Sequence, residues 1–133
     1  MTRRESADRG SATVELAVVF PAFLLLLFTG VQAAEWYQAR NLCLAAARQG
    51  VQVARTTTGT TADGRAAARA FLARAGGSAV SDPQVSSAGS TPTLIRIQVS
   101  ATAPTVLPIP GLHLRVSQVS EAGKERFTTG SQP

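Results

Sequence analysis

Polarity along the chain changes abruptly near residue 16 and again near residue 35. Residues 1–10 are polar, with Arg3, Arg4 and Arg9 set against Glu5 and Asp8. The run 16–34 carries no charged side chain. As an α-helix rising about 1.5 Å per residue it extends about 28 Å, close to the thickness of a bilayer's hydrocarbon core. It is apolar all round, including Leu24-Leu25-Leu26-Leu27-Phe28, and a chain of 133 residues is too small to enclose such a helix in a soluble core. The pattern therefore predicts a transmembrane helix over 11–34. Trp36 and Tyr37 mark its outer edge, where amphipathic rings favour the headgroup level. Pro21 lies inside the span, and its missing N–H predicts a kink there.

Beyond the span the period of the pattern changes. Small and apolar residues recur at Trp36, Ala39, Cys43, Ala46, Ala47, Gly50, Val51 and Ala54, with Arg40, Gln49, Gln52 and Arg55 between them. This is an amphipathic continuation of the helix over 35–55, with a small-residue stripe suited to close packing. Thr56-Thr57-Thr58-Gly59-Thr60-Thr61 stops it. Asp63 can cap a short helix through Ala66, Ala67, Ala70, Phe71 and Ala73, ending at Gly76-Gly77, with Arg65, Arg69 and Arg74 on its solvated face. Strict alternation over 93–102 predicts a half-buried antiparallel strand with Ile95, Ile97, Val99 and Ala101 inward. A weaker strand falls at 80–87, and a further one starts with Leu112, Leu114 and Val116 and runs towards Val119. The apolar segment 104–111, with Pro104, Pro108 and Pro110, lacks the donors to continue a ladder and is read as the loop of a hairpin. Residues 121–133 are polar and expected to fray. The fold class is α+β: a long N-terminal transmembrane helix leading into a small head over 56–133.

Charge and chemistry narrow the function. The net charge is +5, but Arg is scattered singly, without a basic run or interleaved aromatics, so nucleic-acid binding is disfavoured. Diffuse attraction to anionic lipid or envelope polymer accounts for it better. Cys43 is the only cysteine; it has no internal disulfide partner and no ligand set around it, and reads as a small apolar residue on a helix face or, if it lies outside the membrane, a thiol for an intermolecular disulfide. His113 is isolated, Asp63 and Asp82 sit in separate turns, and no Gly-rich phosphate loop follows a strand. No catalytic residues, metal site, cofactor or small-molecule substrate emerge, and the chain reads as an enzyme's substrate rather than an enzyme.

Glu15 breaks the apolar pattern at the start of the span. A charge costs roughly 2.5–3.5 kcal/mol at the centre of a membrane helix and less at its edge, and such residues are functional candidates. The surrounding residues, Arg9-Gly10-Ser11-Ala12-Thr13-Val14-Glu15-Leu16-Ala17 and then Val19 and Pro21, resemble the class III signal of type IV pilin-like proteins. Among these the segment is most similar to the TadE family of minor pilins or pseudopilins of Tad (Flp, type IVc) pilus systems. The likeness is concentrated between Arg9 and Phe28; Leu16 stands where many relatives carry an aromatic residue. The resemblance implies a pilin-like head and removal of the 1–10 leader by a prepilin peptidase at the Gly10–Ser11 bond. It also implies a role for Glu15 in aligning the new N-terminus against a neighbouring subunit. Its implied partners are the membrane lipid bilayer, the prepilin peptidase, other pilin-like subunits and the pilus assembly platform.

Positive charge before the span biases the N-terminus to the cytoplasm and the head to the outside, although Arg40 and Arg48 reduce the contrast. This makes a single-pass cell-membrane protein, with a place in the surface pilus, in its priming or at its base. Two alternatives stay open at this level. Val31-Gln32-Ala33 fits a signal-peptidase site that would release a secreted binding module after Ala33, although the apolar run is longer than the usual 7–15 residues. A plain single-span anchor with an outer domain explains all but the combination of Gly10 and Glu15.

Overall fold

The computed structural model describes the backbone of residues 5–126 and the side chains of residues 10–126. The leader positions Arg3 and Arg4, and the end of the tail, 127–133, lie outside the described residues. The first element, α1, runs without a break from Glu5 to Ala54. It is the one described helix long and apolar enough to cross a membrane, and none of its most apolar window is buried against the rest of the chain. Helix α2 (Thr61–Ala75) follows, then strands β1 (Ser81–Ser86), β2 (Leu94–Ala103) and β3 (Leu114–Gly123). The strands form one antiparallel sheet in the order β1-β2-β3. This is the expected α+β architecture.

The head's core forms where the outer part of α1 covers one face of the sheet and α2 packs chiefly on α1, adding Ala68 and Leu72. The α1 stripe Ala39, Cys43, Ala46, Ala47, Val51 and Ala54 is buried against Ile95, Ile97, Val99, Ala101 and Ala103 of β2 and Val116 of β3. The opposite face of the sheet carries polar pairs: Arg96 and Glu121 form an ion pair at 3.1 Å, and the Gln98 amide donates to Ser117 Oγ at 3.0 Å. Helices α1 and α2 meet at a glycine pair. A Cβ at Gly50 would lie 2.7 Å from the Gly64 carbonyl oxygen, and one at Gly64 would lie 2.6 Å from the Gly50 carbonyl oxygen. Only residues without a side chain permit this approach.

Several local readings are revised by packing. The N-cap of α2 is Thr60, with Asp63 as its reciprocal partner: Thr60 Oγ1 accepts from the Asp63 N–H at 3.1 Å, and the Asp63 carboxylate accepts from the Thr60 N–H at 2.9 Å. The buried face of α2 is Gly64, Ala68 and Leu72, an i, i+4 row. Arg65 is half-buried, and its Nε has no hydrogen-bond partner among the described residues. Cys43 is fully buried, which closes off an intermolecular disulfide and pushes its thiol pKa up by desolvation. The chain does not fray at residue 121. Strand β3 pairs with β2 as far as Gly123, opposite Leu94, and the next residues are tied back: the Lys124 N–H donates to the Thr93 carbonyl and the Glu125 N–H to the Arg55 carbonyl.

Candidate functional site

Two regions of α1 carry the residues singled out by sequence. The first is the N-terminal end. Gly10 and Ser11 are exposed and lie within the helix rather than before it, since α1 already begins at Glu5. A Cβ at Gly10 would meet nothing within 4 Å, so packing among the described residues does not require glycine there. Glu15 is exposed on the helix surface and makes no hydrogen bond or ion pair among the described residues. Ser11 and Glu15 are one turn apart on the same face. Pro21 sits inside the continuous helix, leaving the carbonyl one turn before it without a backbone donor. Thr13, Leu16, Ala17, Phe20 and Pro21 line a shallow apolar groove, and Phe23, Leu26, Leu27, Gly30, Val31 and Ala34 line another.

The second region is the junction between the apolar part of α1 and the head. Gln32 is only 6% exposed and fastens the loop between β2 and β3 to the helix. Its Nε2 donates to the Pro104 carbonyl at 2.9 Å, and its Oε1 accepts from the Val106 N–H at 2.7 Å. The side chain therefore has its polar atoms satisfied despite lying in an apolar run. The only other polar side chain nearby on that run, Thr29, donates to the Leu25 carbonyl at 2.7 Å. Trp36 is 41% exposed and lines a groove with Thr29, Gln32, Ala33, Leu107 and Leu114. Sequence reasoning missed the role of Gln32. The available signal was a lone amide in an apolar helix, together with a proline-rich segment short of its own hydrogen bonds.

The family model described as TadE-like protein matches residues 10–52. That part of the chain is similar to the TadE-like family. The match starts at Gly10 and stays within α1. It reaches well past Phe28, into the half of the helix that packs against the head. The matched segment contains Gly10, Ser11, Glu15, Pro21 and Gln32, whereas α2 and the sheet lie beyond it. No curated protein and no solved structure gave a match.

Proposed function

We propose that the chain is a pilin-related structural subunit of a Tad/Flp (type IVc) pilus or related secretion machinery. A prepilin peptidase cuts it after Gly10, and it is assembled through its N-terminal helix. The observation that carries this reading is the TadE-like match beginning at Gly10, on a helix that is apolar and uncovered over its membrane-length part. In this reading residues 11–34 span the cell membrane, residues 35–55 form the amphipathic continuation, the N-terminus is cytoplasmic and the head is extracytoplasmic.

Physical chemistry supports the division of roles. Glycine costs a helix about 1 kcal/mol relative to alanine, so the turn at Gly10 opens more easily for a peptidase than one built on alanine. Cleavage creates an amine at Ser11. That amine and the Glu15 carboxylate are opposite charges at the edge of a low-dielectric layer, and each is costly there unless paired. Pairing between adjacent subunits sets their register, and the bare apolar face of α1 supplies the remaining contact. A kink at Pro21 would adjust the direction of the helix within that contact.

The secreted-module alternative fits less well. Cleavage after Ala33 would remove Gln32 and its bonds to Pro104 and Val106, detaching the head's loop from its support. The test is a pair of substitutions in the native host. Gly10→Leu blocks processing, read as a protein that keeps its leader and migrates more slowly, while Glu15→Ala is processed normally but fails to enter the pilus or its base. Unchanged mobility of Gly10→Leu rejects processing at this bond, and normal piliation with Glu15→Ala rejects the pairing.

A further inference from the structure

The loop between β2 and β3 is apolar and held at a defined height on α1. Gln32, which holds it, lies two residues inside the outer end of the run 16–34, about 3 Å along the helix axis. Trp36 and Tyr37 lie on the next turn. At that level the loop presents Val106, 38% exposed, and Ile109, 55% exposed, flanked by the exposed Pro108 and Pro110. No Asp, Glu, Lys or Arg occurs between Arg96 and Arg115.

The loop backbone is also adapted to scarce water. Pro104, Pro108 and Pro110 have no N–H to satisfy. The Val106 N–H bonds to Gln32, the Ile109 N–H donates to the Leu107 carbonyl at 2.8 Å, and the Leu112 N–H donates to the Ile109 carbonyl at 3.2 Å. Irregular backbone is excluded from hydrocarbon because its polar groups go unsatisfied, and this loop has removed or paired most of its donors. A cluster of exposed apolar side chains in water would be a liability, but one continuous with an apolar span has a solvent at hand.

We propose that residues 104–112 form a membrane-interface anchor. Val106, Pro108 and Ile109 dip into the boundary between headgroups and acyl chains of the outer leaflet, beside the span to which Gln32 clamps them. The head therefore rests on the bilayer at a fixed height and orientation while the subunit is membrane-resident. The occupant is phospholipid, because the loop is pinned at the level where the apolar run ends and contains no charge to keep it in water. This inference rests on the membrane reading of α1 and is independent of processing at Gly10.

The test uses the full chain reconstituted in phosphatidylcholine vesicles, with single tryptophans in a Trp36→Phe background. The positions are Ile109→Trp in the loop, Leu26→Trp in the span and Val119→Trp on the outer face of β3. With phosphatidylcholine brominated near the headgroup end of its acyl chains, Ile109→Trp emission should fall about twofold or more, and iodide should quench it several-fold less than Val119→Trp. Val106→Trp should behave like Ile109→Trp, which guards against a local disturbance at one site. If Leu26→Trp is quenched by bromolipid but Ile109→Trp and Val106→Trp are as open to iodide as Val119→Trp, the anchor is rejected while the span stands. If Leu26→Trp is quenched neither by this lipid nor by phosphatidylcholine brominated near the ends of its acyl chains, both fail. Iodide protection of the loop that disappears when the protein is diluted into excess lipid means that a second copy covers it, and overturns the lipid assignment.

Discussion

Gly30 and Gly50 lie on the same unbroken helix and meet opposite surroundings. A side chain added at Gly30 encounters nothing within 4 Å, whereas one added at Gly50 strikes the Gly64 carbonyl oxygen at 2.7 Å and approaches Ala68 and Ile97 at 3.2 Å. The most apolar window of α1 is uncovered by the rest of the chain, and Gln32 is the first buried side chain along the helix among the described residues. The outer half is apolar along one stripe and forms a wall of the head. Continuity of backbone is thus no guide to continuity of environment: one helix serves two solvents, and its side-chain pattern, not its hydrogen bonding, says where one ends and the other begins.

The largest test of this contrast is to fill both glycines. Gly50→Leu forces α1 away from α2 and β2 and should destabilise the head by about 3 kcal/mol or more, because backbone rather than a flexible side chain occupies the space. Gly30→Leu should leave head stability within about 0.5 kcal/mol of the parent. Denaturation of the full chain in detergent, followed by loss of protease resistance in the head, measures both. Equal effects would mean that the two halves are not separate environments.

Gln32 is the boundary, and its substitution comes next in size. Gln32→Leu removes the loop's support and leaves the Pro104 carbonyl and Val106 N–H without their partner, at a cost of about 1–3 kcal/mol for stranded buried polar groups. The expected outcome is faster amide exchange at Val106 with β2–β3 pairing retained. Unchanged exchange at Val106 would show that the loop is held by its own contacts.

The smallest effect lies farthest from the membrane, at the start of α2. Thr60→Ala removes the N-cap and should cost about 1 kcal/mol. The hydrogen bonds from the Thr60 side chain and then its backbone N–H lower the pKa of Asp63. A carboxylate whose folded pKa is depressed stabilises the fold above its unfolded value, near 3.9, and loses that contribution as pH falls through the lower folded value. Asp63→Asn should therefore flatten the acid side of the stability profile below about pH 4. An acid limb as steep as the parent's would place that dependence on other groups.

These contrasts also show what could be read in advance. The membrane-length run, the small-residue stripe and the alternation of β2 each follow from a single repeating environment, and periodicity recovers them. The rest depends on partners distant in sequence. The apolar alternation of β3 carries only towards Val119, since Gln118 and Ser120 interrupt it, yet ten residues pair because β2 offers a complete ladder opposite. Residues 124–125 look like tail until Thr93 and Arg55 accept their N–H groups. In the sequence Gln32 figures only in the Val31-Gln32-Ala33 motif, because its hydrogen-bond partners are more than seventy positions away. At the N-terminal end, Glu15 stands out in the sequence as a charge where charge is expensive, and Gly10 only through the resemblance of its segment to pilin-like signals; the roles given to them are the proposal made above.

The central claim is that α1 remains one piece from the start of the span into the head, with its N-terminus made at Ser11. The direct measurement is N-terminal sequencing of the membrane-retained protein from its native host. The account predicts a chain beginning Ser11-Ala12-Thr13-Val14-Glu15. A chain beginning at Ala34 would contradict it by dividing α1 at the boundary that Gln32 holds together, and an intact Met1 would reduce the span to a plain anchor.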